Sequence, residues 1–232
     1  MRGATYSARR GELETYFDRT ASEAWARLTS DAPVSGIRAT VRAGREQMRA
    51  TLLSWLPQDL GGRRLLDAGC GTGALANEAA ARGADVIAVD LAATLIAHAR
   101  ERAAHLPGNQ PDFRVGDMLD ETLGHFDHIV AMDSLIHYHA EDIVEALARV
   151  APRCRRSMIF TVAPRTPLLT VFHSVGRLFP RSDRAPAIEP LAEAKLRRLI
   201  AAEPRLRDFF PGHHRRIAKG FYTSHAYEWV RR

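Results

Sequence analysis

The sequence predicts an α/β fold with a mostly parallel, seven-stranded, doubly wound sheet, and three observations carry that prediction. From Leu65 onward short apolar runs alternate with helical periodicity. The first run, Leu65-Leu66-Asp67-Ala68, passes straight into Gly69-Cys70-Gly71-Thr72-Gly73, a strand-to-helix corner. The next strand closes on Asp90, the place where a doubly wound sheet holds ribose hydroxyls. The elements then follow in order. A helix is expected from Ala74 to Arg82, a strand from Ala84 to Val89, a helix near 92–106 and a third strand ending at Val115. The fourth strand covers His128 to Asp133, a helix follows near 140–151, and a fifth strand covers Ser157 to Val162. A helix from Pro190 to Ala202 and two terminal strands near 206–217 and 220–231 complete the sheet as a hairpin.

Two segments exceed this minimal plan. Residues 11–30 and 36–56 carry helical periodicity, with a break at Asp31-Ala32-Pro33, so residues 1–57 are expected to form an N-terminal helical layer ahead of the core at 58–232. Leu13, Tyr16, Val41, Met48, Leu52 and Leu53 give these helices apolar faces that either pack on the sheet or close as a lid over a ligand. The second segment, about 163–186, runs from Ala163-Pro164-Arg165-Thr166-Pro167 through a helical Leu168–Leu178 to Phe179-Pro180. It reads as a cap inserted after the fifth strand, with Arg165, Arg177, Arg181 and Arg184 beside an apolar face.

A chain of 232 residues is long enough to bury a single core without disulfides. Cys70 and Cys154 are too few for a disulfide framework or a zinc site. No apolar run approaches the roughly eighteen residues of a membrane span, and no secretory leader is evident, so a cytoplasmic protein is expected. The net charge of +6 comes almost wholly from arginine, scattered in pairs such as Arg63-Arg64 and Arg215-Arg216, not gathered in an aromatic-interleaved tract. That distribution argues against a nucleic-acid partner and favours an anionic substrate or anionic headgroups.

Glycine spacing selects the ligand. A dinucleotide fingerprint is Gly-x-Gly-x-x-Gly over a pyrophosphate, whereas this chain has Asp67-x-Gly69-x-Gly71-x-Gly73. The pattern resembles the class I S-adenosylmethionine-dependent methyltransferases. The resemblance implies that the glycine turn packs on the amino-acid part of S-adenosylmethionine and that Asp67 accepts from its ammonium group. It also implies that Asp90 and Leu91 flank the ribose, that Asp117 and Met118 meet the adenine, and that Asp133 opens the loop at the carboxyl edge. Arg42 is either a partner for the cofactor carboxylate or a solvated charge on its helix.

Four further segments resemble a narrower family, the magnesium protoporphyrin IX methyltransferases of chlorophyll and bacteriochlorophyll biosynthesis. They are Tyr16-Phe17-Asp18-Arg19-Thr20, Val41-Arg42-Ala43-Gly44, Leu135-Ile136-His137-Tyr138 and the stretch from Ala163-Pro164-Arg165 to Leu178-Phe179-Pro180. Arg165 stands where lysine is expected in many relatives, which keeps charge but changes hydrogen-bond geometry. The resemblance implies methyl transfer from S-adenosylmethionine to a propionate of magnesium protoporphyrin IX, with magnesium only inside the porphyrin. His137 is then the leading catalytic residue and Tyr16 its companion, while Arg165, Arg177 and Arg181 bind substrate. His137 either accepts a proton or orients one carboxylate oxygen; Tyr16 is alternatively a core aromatic. Expected partners are the porphyrin, the porphyrin-binding subunit of magnesium chelatase and, peripherally, the photosynthetic or inner membrane. Two rivals stay open: a class I methyltransferase acting on RNA or another small acceptor, and a non-catalytic tetrapyrrole carrier. His137 and His139 are also an alternating pair on an extended segment, but no third metal ligand accompanies them.

Overall fold

Apolar residues alternate along the central strands, and the alternation feeds two separate cores. In the computed structural model, which describes residues 2–19, 36–165 and 188–232, the first strand is β1 (Arg64–Ala68). Its Leu66 and Ala68 join one cluster and Leu65 the other. The first core packs against α1 (Arg2–Arg19), α5 (Ala140–Val150) and α6 (Glu193–Ala201). The second packs against α2 (Gly36–Ser54), α3 (Ala74–Ala81) and α4 (Ala93–Ala103). β2 (Asp85–Asp90) divides in the same way, with Ile87 and Val89 on one face and Val86 and Ala88 on the other. This is the period-two consequence of the pleat, and each fully buried leucine or isoleucine contributes about 1.5–3 kcal/mol.

The remaining strands are β3 (Asp112–Val115), β4 (Phe126–Ala131), β5 (Cys154–Val162), β6 (Phe209–Lys219) and β7 (Tyr222–Arg231). They form one seven-stranded sheet in the order β3-β2-β1-β4-β5-β7-β6, parallel except that β7 runs antiparallel to both its neighbours. Strand order reverses between β1 and β4, so the carboxyl ends of those strands leave a crevice for a ligand. β7 slots between β5 and β6, and α2 rests on the resulting hairpin. Gly44 permits that approach, since a Cβ there would lie 2.5 Å from the Tyr222 ring.

The expected elements are present with shifted ends. β5 starts three residues earlier than the sequence suggests, at Cys154, and β4 stops at Ala131, before Asp133. The first helix begins at Arg2, not near residue 11. Its early turns have no apolar stripe of their own and are held by tertiary contacts, chiefly the stacking of Tyr6 on Tyr138 at 4.9 Å between ring centres. The second half of the expected 11–30 helix, the break at Asp31–Pro33 and the cap helix with Arg177, Arg181 and Arg184 lie outside the described residues. No described helix is long and apolar enough to cross a membrane.

Candidate active site

The glycine turn is built by close contacts that side chains would block. Gly69 has φ +80°, and a Cβ on it would lie 2.3 Å from Cβ of Ser134. Gly73, at φ +78°, opens α3, and a Cβ there would meet the Phe113 ring at 2.6 Å. The turn is also tied to β2. The amides of Gly69 and Cys70 donate to the Val89 carbonyl at 2.8 and 3.0 Å, and the Gly71 amide donates to Oδ2 of Asp90 at 2.8 Å. Oδ1 of Asp90 accepts from the Ala92 amide at 3.0 Å. Asp90 therefore shapes the turn as well as standing at the expected ribose position. Burial pushes its carboxyl up from the ordinary value, against the pull of the neighbouring amides.

Asp67 has an unusual environment for a carboxyl group. It is 1 % exposed at the end of β1. Burial first, and the charge of Asp90 second, push its carboxyl up to about 7. Its Oδ2 is buried and, among the described residues, meets no hydrogen-bond donor. Leaving a buried carboxylate oxygen unmatched is costly, so the site asks for a cationic or donor group there.

Helix α1 lies against the carboxyl end of the sheet. The Tyr6 hydroxyl donates to Oδ1 of Asp117 at 3.1 Å and Nη1 of Arg10 to Oδ2 at 3.2 Å. Lower on the helix, Oδ1 of Asp18 accepts from the amide and hydroxyl of Thr94, at 3.1 and 3.0 Å. It thereby caps the start of α4, whose own Ala92 offers no capping side chain. Burial, then the neighbouring Tyr138 and Asp117, drive the Tyr6 phenol well above its ordinary range.

The loop after β4 supplies the third wall. Asp133 holds φ +55° without being glycine, and its carboxylate is enclosed by donors. Arg45 donates to Oδ2 at 2.6 Å; Tyr222, Ser224 and Thr161 hydroxyls also reach the carboxylate, at 3.1 to 3.2 Å. The Ser134 hydroxyl bonds the Ala68 carbonyl at 2.8 Å, which locks the loop onto β1. A single 3₁₀ turn, Leu135–His137, then presents His137, which is 8 % exposed. Behind that turn the Glu189 amide donates to the Ile136 carbonyl at 2.9 Å. The Glu189 carboxylate takes Nη2 of Arg9 at 2.8 Å and stands 3.5 Å from Nδ1 of His139.

These walls enclose a cavity of about 310 Å³, at the small end of the roughly 300–1,000 Å³ range of small-molecule sites. The expected cofactor residues Arg42, Asp67, Gly69, Gly71, Asp90, Leu91, Asp117, Met118 and Asp133 all line it, and so does His137. Gly73 shapes the turn from behind. Asp133 spends its carboxylate on the protein, which leaves only its main chain to a ligand. Tyr16 is half-buried on α1 and is not part of this wall; Tyr6 and Leu13 of the same helix are. Arg165 lines a different cavity, and Arg177 and Arg181 lie outside the described residues.

Sequence reasoning missed Tyr6, Arg45 and Glu189, whose partners are 111, 88 and 180 positions away. Only Gly44, a small residue in a helix beside Arg45, hinted at a tight contact. His137 and His139 do not form a paired metal site, since His137 is buried and the His139 side chain is 57 % exposed toward Glu189. Among the described residues no group of three or more acidic, histidine or cysteine side chains could hold a metal ion. The residues do fit S-adenosylmethionine: a buried unmatched acid for an ammonium, a glycine turn without Cβ atoms, and acids at the ribose and adenine positions.

Comparison with known proteins points the same way. A family model described as the magnesium-protoporphyrin IX methyltransferase C-terminus matches residues 131–231, and a methyltransferase-domain model matches 65–156. The chain is 48 % identical over 225 residues to the magnesium-protoporphyrin O-methyltransferase of Rhodobacter capsulatus, covering 97 % of each. It is 32 % identical over 192 residues to the enzyme of that name from Synechocystis, covering 81 % of this chain and 83 % of the relative. The crystal structure of magnesium protoporphyrin IX methyltransferase from Synechocystis with bound S-adenosylhomocysteine superposes with a TM-score of 0.85 at 28 % identity, over 97 % of this chain and 100 % of that one.

Proposed function

The chain belongs to the magnesium-protoporphyrin IX methyltransferase family, and from that premise we infer its reaction: transfer of a methyl group from S-adenosylmethionine to a propionate carboxyl of magnesium protoporphyrin IX, giving the monomethyl ester and S-adenosylhomocysteine. The single observation that carries this reading is that His137 shares one cavity with Asp67, Asp90 and the glycine turn. An acceptor held at His137 is therefore beside the cofactor's reactive end. Bound S-adenosylmethionine supplies a methyl carbon on a sulfonium, whose C–S bond electrons return to sulfur as a carboxylate oxygen takes the carbon.

The protein's share is mainly positional. A propionate titrates near 4.3, so at neutral pH it is already the nucleophile and no proton has to be removed. His137 holds one carboxylate oxygen by a hydrogen bond so that the other faces the methyl carbon in line. Asp67 receives the ammonium, Asp90 the ribose, and Asp117 with Met118 the adenine end. Arg42, in the cavity wall, is the proposed partner of the cofactor carboxylate. Residues 1–57 act as a lid, with α1 excluding water through Tyr6 and Leu13. Tyr16, outside the wall, is assigned no chemical step. Arg165, Arg177 and Arg181 are the proposed substrate-binding charges. The porphyrin-binding subunit of magnesium chelatase, whose product is this substrate, is the proposed donor. The proposed setting is the cytoplasm, with peripheral contact to an anionic membrane through the cap.

Incubation with S-adenosylmethionine and either magnesium protoporphyrin IX or total RNA tests the reading; a methylated nucleoside without a porphyrin ester would sink it. His137→Ala should keep S-adenosylhomocysteine affinity and lower kcat roughly 10- to 100-fold, the size of a lost hydrogen bond to a charged group. His137→Asn should recover part of that loss. A drop nearer 10⁴-fold without rescue would instead mark obligatory base catalysis. For the membrane contact, Arg177→Gln with Arg181→Gln should reduce sedimentation with anionic vesicles, and an unchanged bound fraction would count against it.

A further inference from the structure

A second cavity, of about 190 Å³, shares Tyr138 with the first. It is too small for a porphyrin ring and suits a short side chain. Arg165, Lys195 and His139 line it together with Glu189. Two of these charges are accounted for. Lys195 pairs with Glu141 at 2.8 Å, and Glu189 is held by Arg9 on α1 and faces His139. Arg165 is exposed, and among the described residues no carboxylate meets it. Among the residues that line the cleft, Arg165 and Lys195 thus stand against one carboxylate, Glu189, before His139 is counted. Ala140 and Ala192, at the starts of α5 and α6, lie in the same wall, and neither helix start is capped by a side chain. The Arg165 position is fixed from the main chain, whose amide donates to the Leu191 carbonyl at 3.0 Å.

We propose that this second cavity seats the propionate of magnesium protoporphyrin IX that is not methylated, through Arg165 and Lys195. The assignment rests on the reaction proposed above, in which the other propionate lies at His137. A ring with two acid chains can place one in each cavity in a restricted set of orientations, with Tyr138 as the common wall between them. The second cavity is then a specificity site that decides which propionate is esterified. An arginine fork can grip a carboxylate by two parallel hydrogen bonds, and so supplies direction as well as charge.

The test uses the full-length enzyme with S-adenosylmethionine and magnesium protoporphyrin IX, and separates the two monomethyl ester isomers. Arg165→Gln combined with Lys195→Gln should raise the porphyrin KM roughly five- to tenfold and release the second isomer alongside the wild-type one, as expected for lost charge-assisted hydrogen bonds at a partly solvated site. S-adenosylhomocysteine binding by calorimetry confirms that the variant is folded, and Arg165→Lys with Lys195 intact, which keeps the charge but not the fork, should raise the KM less than the double variant does. Either an unmoved KM or an isomer composition identical to wild type in the double variant overturns the assignment. A wild-type enzyme that forms no porphyrin ester overturns the proposed reaction and this site with it. Ester formation with unaffected variants overturns this site alone.

Discussion

Asp67→Asn should make the protein more stable and nearly blind to its cofactor. A carboxyl ordinarily titrating near 3.8 is held at about 7 by burial and by Asp90. With a folded-state pKa above the unfolded one, the carboxyl favours folding below pH 4, where both states are protonated. That contribution is lost as pH rises from about 4 to 7, and the full penalty, on the order of 4 kcal/mol, persists above 7. Asparagine removes the charge but leaves its amide poorly matched, so the net gain is smaller. In the absence of cofactor, the Tm of Asp67→Asn should exceed that of the parent by roughly 4 to 8 °C at pH 9, with little difference at pH 4. Affinity for S-adenosylhomocysteine should meanwhile fall about 100-fold, since a buried charged acceptor for the ammonium is gone. In the parent, the same titration predicts that affinity weakens as pH falls below about 7. Scanning calorimetry across pH, paired with titration calorimetry, checks both halves; a Tm difference independent of pH would refute the buried-charge account.

Arg45→Met should be the most damaging single change outside the glycine turn. Asp133 has a side chain 3 % exposed, and its ion pair with Arg45, itself 18 % exposed, links α2 to the loop that carries His137. Removing the cation leaves a buried charge with only hydroxyl donors from Tyr222, Ser224 and Thr161. Breaking a buried pair in this way costs about 3–5 kcal/mol, and the three hydroxyls reduce the expected loss to roughly 2–4 kcal/mol. Asp133→Asn in the Arg45→Met background should restore part of it, because the orphan charge is gone. Denaturant midpoints for the four-member cycle measure the coupling; additive effects would mean that the pair is decorative.

What was legible in the sequence follows from which contacts are local. Asp67, the three glycines and Asp90 belong to one βαβ unit, where spacing alone fixes geometry; Asp67, Gly69, Gly71 and Asp90 line one cavity, with Gly73 behind the turn. His137 was readable for the same reason, since a strand ending near Asp133 must deliver the next turn to the carboxyl edge. The helix start was misjudged because α1 is stabilised by Tyr6 and Arg10 binding to other elements, a force that leaves no periodicity behind. Asp133 lines the cavity, but position along the chain says nothing about direction, and its carboxylate is turned inward toward Arg45. Glu189 carried no motif, and its value lies in joining Arg9, Ile136 and His139, three points the chain order keeps apart.

A carboxylate offers about four acceptor positions, two per oxygen, and at Asp117 the described residues fill three. Tyr6 and the Leu119 amide, the latter at 2.9 Å, occupy Oδ1, while Arg10 takes one position on Oδ2. One lone pair is left, enough for a single amino N–H of an adenine. Helix and nucleoside therefore need not displace each other, and Asp117 can serve as a shared clasp. If α1 serves as the proposed lid, its fastening at Asp117 leaves it a neighbour of the cofactor and not its competitor.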